Sequence, residues 1–244
     1  MIILVSCLYL LGIFLLFSKP LMPEVYIENL NLLVLSLQAF ILLLLIAHRN
    51  LRIYLESRSE IFLTYSLSFF FYSFLFLGMI FQSLGFWFAD MRKPGIFLLW
   101  RQFKIIWISG IYLALSKTLF ERKKFSLVST FLLGLASYSW FFYGLFFSGV
   151  KNSIEFTMYG FLYFLLTPFS FCVGILFLWY GKKNRLLSPK YLSYGFILLG
   201  ITYMAWSPWH LTSLYFVWFT IFNISLVFLL IGFSLASIER PSSS

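Results

Sequence analysis

A chain of 244 residues that is 61% hydrophobic and only 11% charged, with a mean hydropathy of +0.93, lies far from the roughly 25% charged residues of a soluble domain. The composition excludes an ordinary water-soluble globule and predicts an all-α, polytopic membrane helical bundle. The formal charge of +10 does not call for a nucleic-acid partner, because basic residues of multispanning proteins collect in cytoplasmic loops and set orientation.

A helix needs about 20 apolar residues to cross a bilayer. Eight segments qualify: 1–17, 30–47, 61–82, 96–116, 125–148, 156–180, 191–207 and 211–237. The first, "MIILVSCLYLLGIFLLF", is apolar from Met1 and lacks the positive leader and small-residue cleavage site of a signal peptide, so it is expected as a retained span. Without it, seven remain. The seventh is short and runs at once into "SPWH". Residues 1–238 form a single transmembrane bundle domain in this reading, and 239–244, "ERPSSS", a short cytoplasmic tail.

The 18 lysines and arginines test that model. The loops after spans two, four and six, with the C-terminus, carry Arg49, Arg52, Arg58, Lys117, Arg122, Lys123, Lys124, Lys182, Lys183, Arg185, Lys190 and Arg240. The opposite side carries Lys19, Arg92, Lys93 and Lys151. With an even number of spans, this asymmetry predicts a multi-pass cell-membrane protein with both termini in the cytoplasm. All acidic residues fall in loops: Glu24, Glu28, Asp90 and Glu155 outside, and Glu56, Glu60, Glu121 and Glu239 inside.

Span four breaks the pattern with "LLWRQFKIIW", residues 98–107. Arg101 lies about 7.5 Å from the outer end of that span and Lys104 about 12 Å, at the usual helical rise. On a helical wheel Arg101, Lys104, Ser109, Tyr112 and Ser116 share an arc of about 140°. One reading is snorkelling, with long stems in lipid and charged heads at the interface. The other is an interior site, since a charge at mid-span costs about 2.5–3.5 kcal/mol and needs partners. The compensating group is then an outer-loop acid or a bound anion, which Arg meets with a planar fork and Lys with a point charge.

In "TPFSFCVG", Pro168 follows Thr167 inside span six, where proline removes a helical hydrogen bond and kinks the helix. Thr167 and Pro168 are the candidate hinge, with Thr167, a neighbouring helix or water satisfying the freed carbonyl. "MAWSPWHLTSLYF", residues 204–216, sets Trp206, Trp209 and His210 between the last two spans. They read either as an interfacial anchor or as an aromatic rim above Arg101. The candidate ligand-binding set is therefore Arg101, Lys104, Tyr112, Trp209 and His210.

Gln38, Gln102 and Asn223 are expected to bridge helices by hydrogen bonds, and the Gly and Ser residues of "GLASYSWFFYG" to permit close helix approach. Cys7 and Cys172 sit in apolar runs, form no CxxC pair, and are expected as small buried hydrophobes.

No paired intramembrane Asp, Ser/His constellation or two-histidine zinc motif is present, so the chain does not read as an enzyme. His210 lacks a companion at metal-ligand spacing, and no metal or cofactor is expected. The absence of intramembrane carboxylates also disfavours a proton-coupled carrier.

The stretch "SYGFILLGITYMAWSPWHLTSLYFVWFTIFNISLVFLLIGFSLASIER" resembles the closing part of multispanning sensory modules that precede cytoplasmic histidine kinase or cyclic-dinucleotide synthase domains. Gly200, the segment Trp206 to His210 and the helix ending at Glu239 carry the likeness, over about a fifth of the chain. The resemblance implies a signalling function. The sequence stops at Ser244 without an effector domain, so a signalling role is expected to need either a separate signalling partner or a chain that continues past Ser244.

Three functions follow as expectations. The first is a sensory module binding a small anionic or lipidic ligand in an outer-leaflet cavity. The second is a structural subunit of a membrane complex, or a lipid-binding protein, whose basic pair holds a headgroup or partner chain. The third is a facilitative small-solute or anion transporter or channel. Expected partners are the lipid bilayer, an anionic lipid or small anion, and a membrane or cytoplasmic signalling protein.

Overall fold

The computed structural model describes residues 24–86, 89, 93–119, 123–149, 153–205 and 215–239, without the side chains of 24–29, 31, 118, 119, 123, 215 and 216. All regular structure in the described residues is helical: α1 Glu24–Ser57, α2 Glu60–Ser83, α3 Pro94–Leu119, α4 Lys123–Phe146, α5 Ser153–Gly160, a π-helical turn Phe161–Leu166, α6 Thr167–Lys183, α7 Ser188–Met204 and α8 Tyr215–Ala236. Among the described residues six stretches are long and apolar enough to cross a membrane: Leu32–Ser57, Glu60–Ser83, Pro94–Lys117, Lys124–Phe146, Ser153–Lys183 and Val217–Ala236. They coincide with expected spans two to six and eight. The expected first span lies outside the described residues, and the seventh corresponds to the 17-residue α7, which is not among the six.

Each helix packs on the next along the chain, and α8 returns to α1, so the bundle closes as a ring. The contact faces share a seven-residue rhythm: Leu35, Ala39, Leu42 and Ile46 on α1; Tyr65, Phe69, Tyr72 and Phe76 on α2; Leu192, Phe196, Leu199 and Tyr203 on α7; Phe219, Phe222, Leu226, Leu229 and Phe233 on α8. Alternating steps of three and four keep one stripe facing inward, the pattern of near-parallel helix packing.

Small residues set the closest approaches. A Cβ at Gly195 of α7 would lie 2.6 Å from Leu229 Cδ2 and 3.0 Å from the Ser225 carbonyl of α8. Gly144 likewise faces Thr157, and Trp140 Nε1 donates to the Thr157 carbonyl at 3.0 Å, so the glycines of α4 do permit close packing. Gly195→Val is expected to destabilise the protein by about 1–3 kcal/mol through overpacking. Gly95→Ala, where an added Cβ meets nothing within 4 Å, is the matched control. Thermal unfolding in detergent compares the two, and equal midpoints would show that the α7–α8 contact is not tight.

Polar ties hold one end of the ring, which carries most of the basic residues and is called the basic end below. Lys117 of α3 pairs with Glu60 of α2 at 3.1 Å. Arg49 of α1 donates to the Ser234 carbonyl at 3.3 Å and to Ser237 Oγ. The Glu239 carboxylate accepts the backbone N–H groups of Leu187 at 2.8 Å and Ser188 at 2.9 Å, at the start of α7. These are N–H groups that a helix start leaves without intrahelical partners.

Between α1 and α8, Asn223 Nδ2 donates to Gln38 Oε1 at 3.0 Å, as expected of a helix bridge. Gln102 is half-buried and makes no such bridge among the described residues. Cys172 is exposed on α6, contrary to its expected burial, because the inward side of that helix is taken by Ser170, Val173 and Gly174.

Candidate functional site

The inward face of α3 is built from Phe97, Arg101, Lys104, Ile108 and Ile111, within about 80° of the helix circumference. Four of the five are buried, so the face reads as ordinary core except at its two cations. Lys104 retains only 5% of its exposure, which rules out a snorkelled head for that residue. It lies ten residues into α3, about 15 Å along the axis. Arg101, one turn nearer the helix start, is half-buried with its guanidinium carbon 5.0 Å from the Phe97 ring centroid.

Both cations line a cavity of about 80 Å³ in the middle of the ring. Tyr72, Leu75, Phe76 and Met79 of α2 form one wall, and Met158 of α5 with Leu162 of the π-helical turn another. Tyr203 of α7 and Trp218, Phe219 and Phe222 of α8 close it. Residues of α2, of α5 with its π-helical continuation, of α7 and of α8 therefore converge on the basic pair.

Aromatic packing fixes the polar groups. Tyr72 stacks on Trp107 at 4.7 Å, which holds its ring inside the bundle. Its hydroxyl lies 3.3 Å from that of Tyr203. Lys104 Nζ sits over the Tyr203 ring, 4.7 Å from the centroid, in cation–π geometry. Trp218 stacks on Phe222 and donates its indole N–H to the Thr202 carbonyl at 2.5 Å. Among the described residues, Lys104 Nζ makes no hydrogen bond or ion pair.

The expected loop acids are placed in part. Glu155 is exposed on α5, whereas Asp90 and the side chains of Glu24 and Glu28 lie outside what the structure describes. Trp209 and His210 also lie outside the described residues. Tyr112 is half-buried and does not line the cavity, and Ser109 points toward α4, where it would lie 3.3 Å from a Cβ at Gly134. The polar arc of α3 thus divides between the ring interior and the α3–α4 seam.

The proline of the sixth expected span acts through a π-helical turn. The Thr167 N–H bonds the Leu162 carbonyl, five residues back, and Pro168 follows at once. Proline cannot donate to the residue four before it and its ring crowds that carbonyl, so the wider turn relieves the clash. Thr167 Oγ1 is buried and makes no hydrogen bond among the described residues, so Thr167 does not satisfy the freed carbonyl as expected.

Tyr72, Tyr203 and Trp218 were not foreseen as site residues. The available signal was a phenol or indole in mid-apolar sequence, since its polar atom needs a partner when buried. Among the described residues no group of three or more His, Cys, Asp or Glu is close enough to hold a metal. No protein-family model matches the chain, and neither a curated protein nor a solved structure matches it.

Proposed function

We propose that the chain is a multi-pass integral membrane sensor that binds a small anionic or lipidic ligand around Arg101 and Lys104 and passes occupancy to a signalling partner. One observation carries the reading: Lys104 is buried, lines a cavity beside Arg101 and sits over the Tyr203 ring, with no hydrogen bond or ion pair of its ammonium among the described residues. A basic side chain at that depth is costly to insert and marks a function-bearing position. The basic end faces the cytoplasm in this reading, in keeping with the positive-inside bias.

The link to signalling runs along α8. At one end Trp218, Phe219 and Phe222 line the cavity. At the other, the helix and the residues after it hold Arg49 and the start of α7. A ligand that shifts α8 acts directly on the contacts of the basic end.

The test is native mass spectrometry of the protein purified in mild detergent, alongside an Arg101→Ala, Lys104→Ala double variant. An anionic species is expected on the wild type and absent from the folded variant. Identical bound species on both would remove the basis of the site. A second reading, a facilitative anion carrier, is favoured by the π-helical turn and Pro168 between α5 and α6, since irregular helices recur at transport sites. Flux of a radiolabelled anion across proteoliposomes separates it from the sensor.

A further inference from the structure

We infer that the cavity takes the single terminal oxyanion, carboxylate or phosphate, of a membrane amphiphile, with Lys104 as counter-charge and the Tyr72–Tyr203 pair as neutral hydrogen-bond donor. The inference rests on the anion site proposed above and narrows its ligand. Three features carry it: volume, donor inventory and wall chemistry.

A cavity of about 80 Å³ is close to half the ~150 Å³ that encloses a benzene ring. It has room for a carboxylate or phosphate group with the first carbons beside it and none for a ring, so most of a larger ligand stays outside. The donors suit an oxyanion. Lys104 Nζ carries up to three N–H bonds, and none is spent on a hydrogen bond to the described residues. The two tyrosine hydroxyls hold two protons and share one hydrogen bond at 3.3 Å, which leaves one proton to donate to a guest. The phenols rank Tyr203 as the second specificity residue, since its ring supports Lys104 and its hydroxyl belongs to the donor pair.

The walls suit the first carbons of a chain. Leu75, Phe76, Met79, Met158 and Leu162 surround the polar floor with apolar surface. The two methionines are unbranched and adaptable, a property common at surfaces that accept flexible apolar partners. A free inorganic anion would leave this apolar collar without a role.

Titration of the full chain in nanodiscs with lauric acid, lauryl phosphate, methyl laurate, sodium acetate and sodium phosphate, read by native mass spectrometry, tests the assignment. Lauric acid or lauryl phosphate should bind saturably and methyl laurate should not. Lys104→Met, which keeps the unbranched stem and removes the charged nitrogen, should weaken binding by about tenfold to a hundredfold, the range for a lost hydrogen bond to a charged group. Tyr203→Phe keeps the ring and should weaken it by about threefold to tenfold.

Equal binding of methyl laurate, or unchanged affinity in Lys104→Met, would overturn both this inference and the anion site beneath it. If acetate or phosphate binds as tightly as its lauryl counterpart and depends on Lys104, the site stands and the amphiphile is excluded. Retention of full affinity in Tyr203→Phe would remove the tyrosine pair from recognition.

Discussion

Lys104→Met is expected to raise the thermal stability of the protein while weakening the proposed anion binding by about tenfold to a hundredfold. Lysine at mid-span costs about 2.5–3.5 kcal/mol on insertion scales, and the Tyr203 ring returns about 0.5–2 kcal/mol through the cation–π contact. Methionine fills nearly the same volume, packs against the same ring and carries no charge. The net gain is about 0.5–3 kcal/mol, in line with the common trade between stability and an unfavourable polar group. Thermal unfolding of ligand-free protein in detergent gives the sign directly. A variant destabilised by a comparable amount would identify Lys104 as a structural cation. A stabilised variant that still binds lauric acid would separate the charge from the ligand.

The π-helical turn yields a second large effect. A bond that reaches five residues back holds one residue more than an α-turn, so removing one residue there leaves the helices on either side in register. Phe164 is the residue to remove, being 83% exposed and therefore not needed for packing. Deletion of Phe164 together with Pro168→Ala is expected to give a continuous α-helix, a folded protein and a cavity still lined by Met158 and Leu162. Pro168→Ala accompanies the deletion because proline inside a regular α-helix costs about 3 kcal/mol.

Deletion of Leu176, also exposed but within regular α6, rotates everything beyond it by about 100° and turns buried faces outward. That protein is expected to fail to fold. Size-exclusion profiles and helix content by circular dichroism distinguish the two. Failure of the Phe164 deletion as well would mean that the wide turn is required for packing in its own right.

Length and apolarity made most helices legible, because a run of about 20 apolar residues bounded by charge has few readings in a chain of this composition. Which face of each helix turns inward was not legible. In a water-soluble helix polarity marks the outside, but here Phe131 and Phe164 point outward while Phe69 and Phe196 point inward, and hydrophobicity does not separate them. Small and polar residues were the better guide: Gly144 marks a close approach and Asn223 with Gln38 a bridge.

The same logic explains the site. Lys104 was legible, because a basic residue inside an apolar helix demands compensation. Tyr72 and Tyr203 were not, since 131 positions separate them and only the closing of the ring brings their hydroxyls together. The division of the polar arc of α3 was equally hidden, because a helical wheel gives angles and not neighbours. Ser109 and Tyr112 share that arc with Lys104, but the cavity takes Lys104 and leaves them to other surroundings.

The end of α7 also bears on Lys104. Tyr203 lies fifteen residues into α7, about 22 Å from its start, and Lys104 lies the same distance from the end of α3, so α7 runs out level with the lysine. The C-terminal end of a helix carries partial negative charge, which a nearby cation stabilises and a nearby anion opposes. In the proposed site Lys104 therefore has two claimants, the last turn of α7 and the bound anion. An anion that takes the lysine sets its own charge against that turn, so occupancy loosens the end of α7, and any change that secures the end of α7 weakens the ligand by the same free energy.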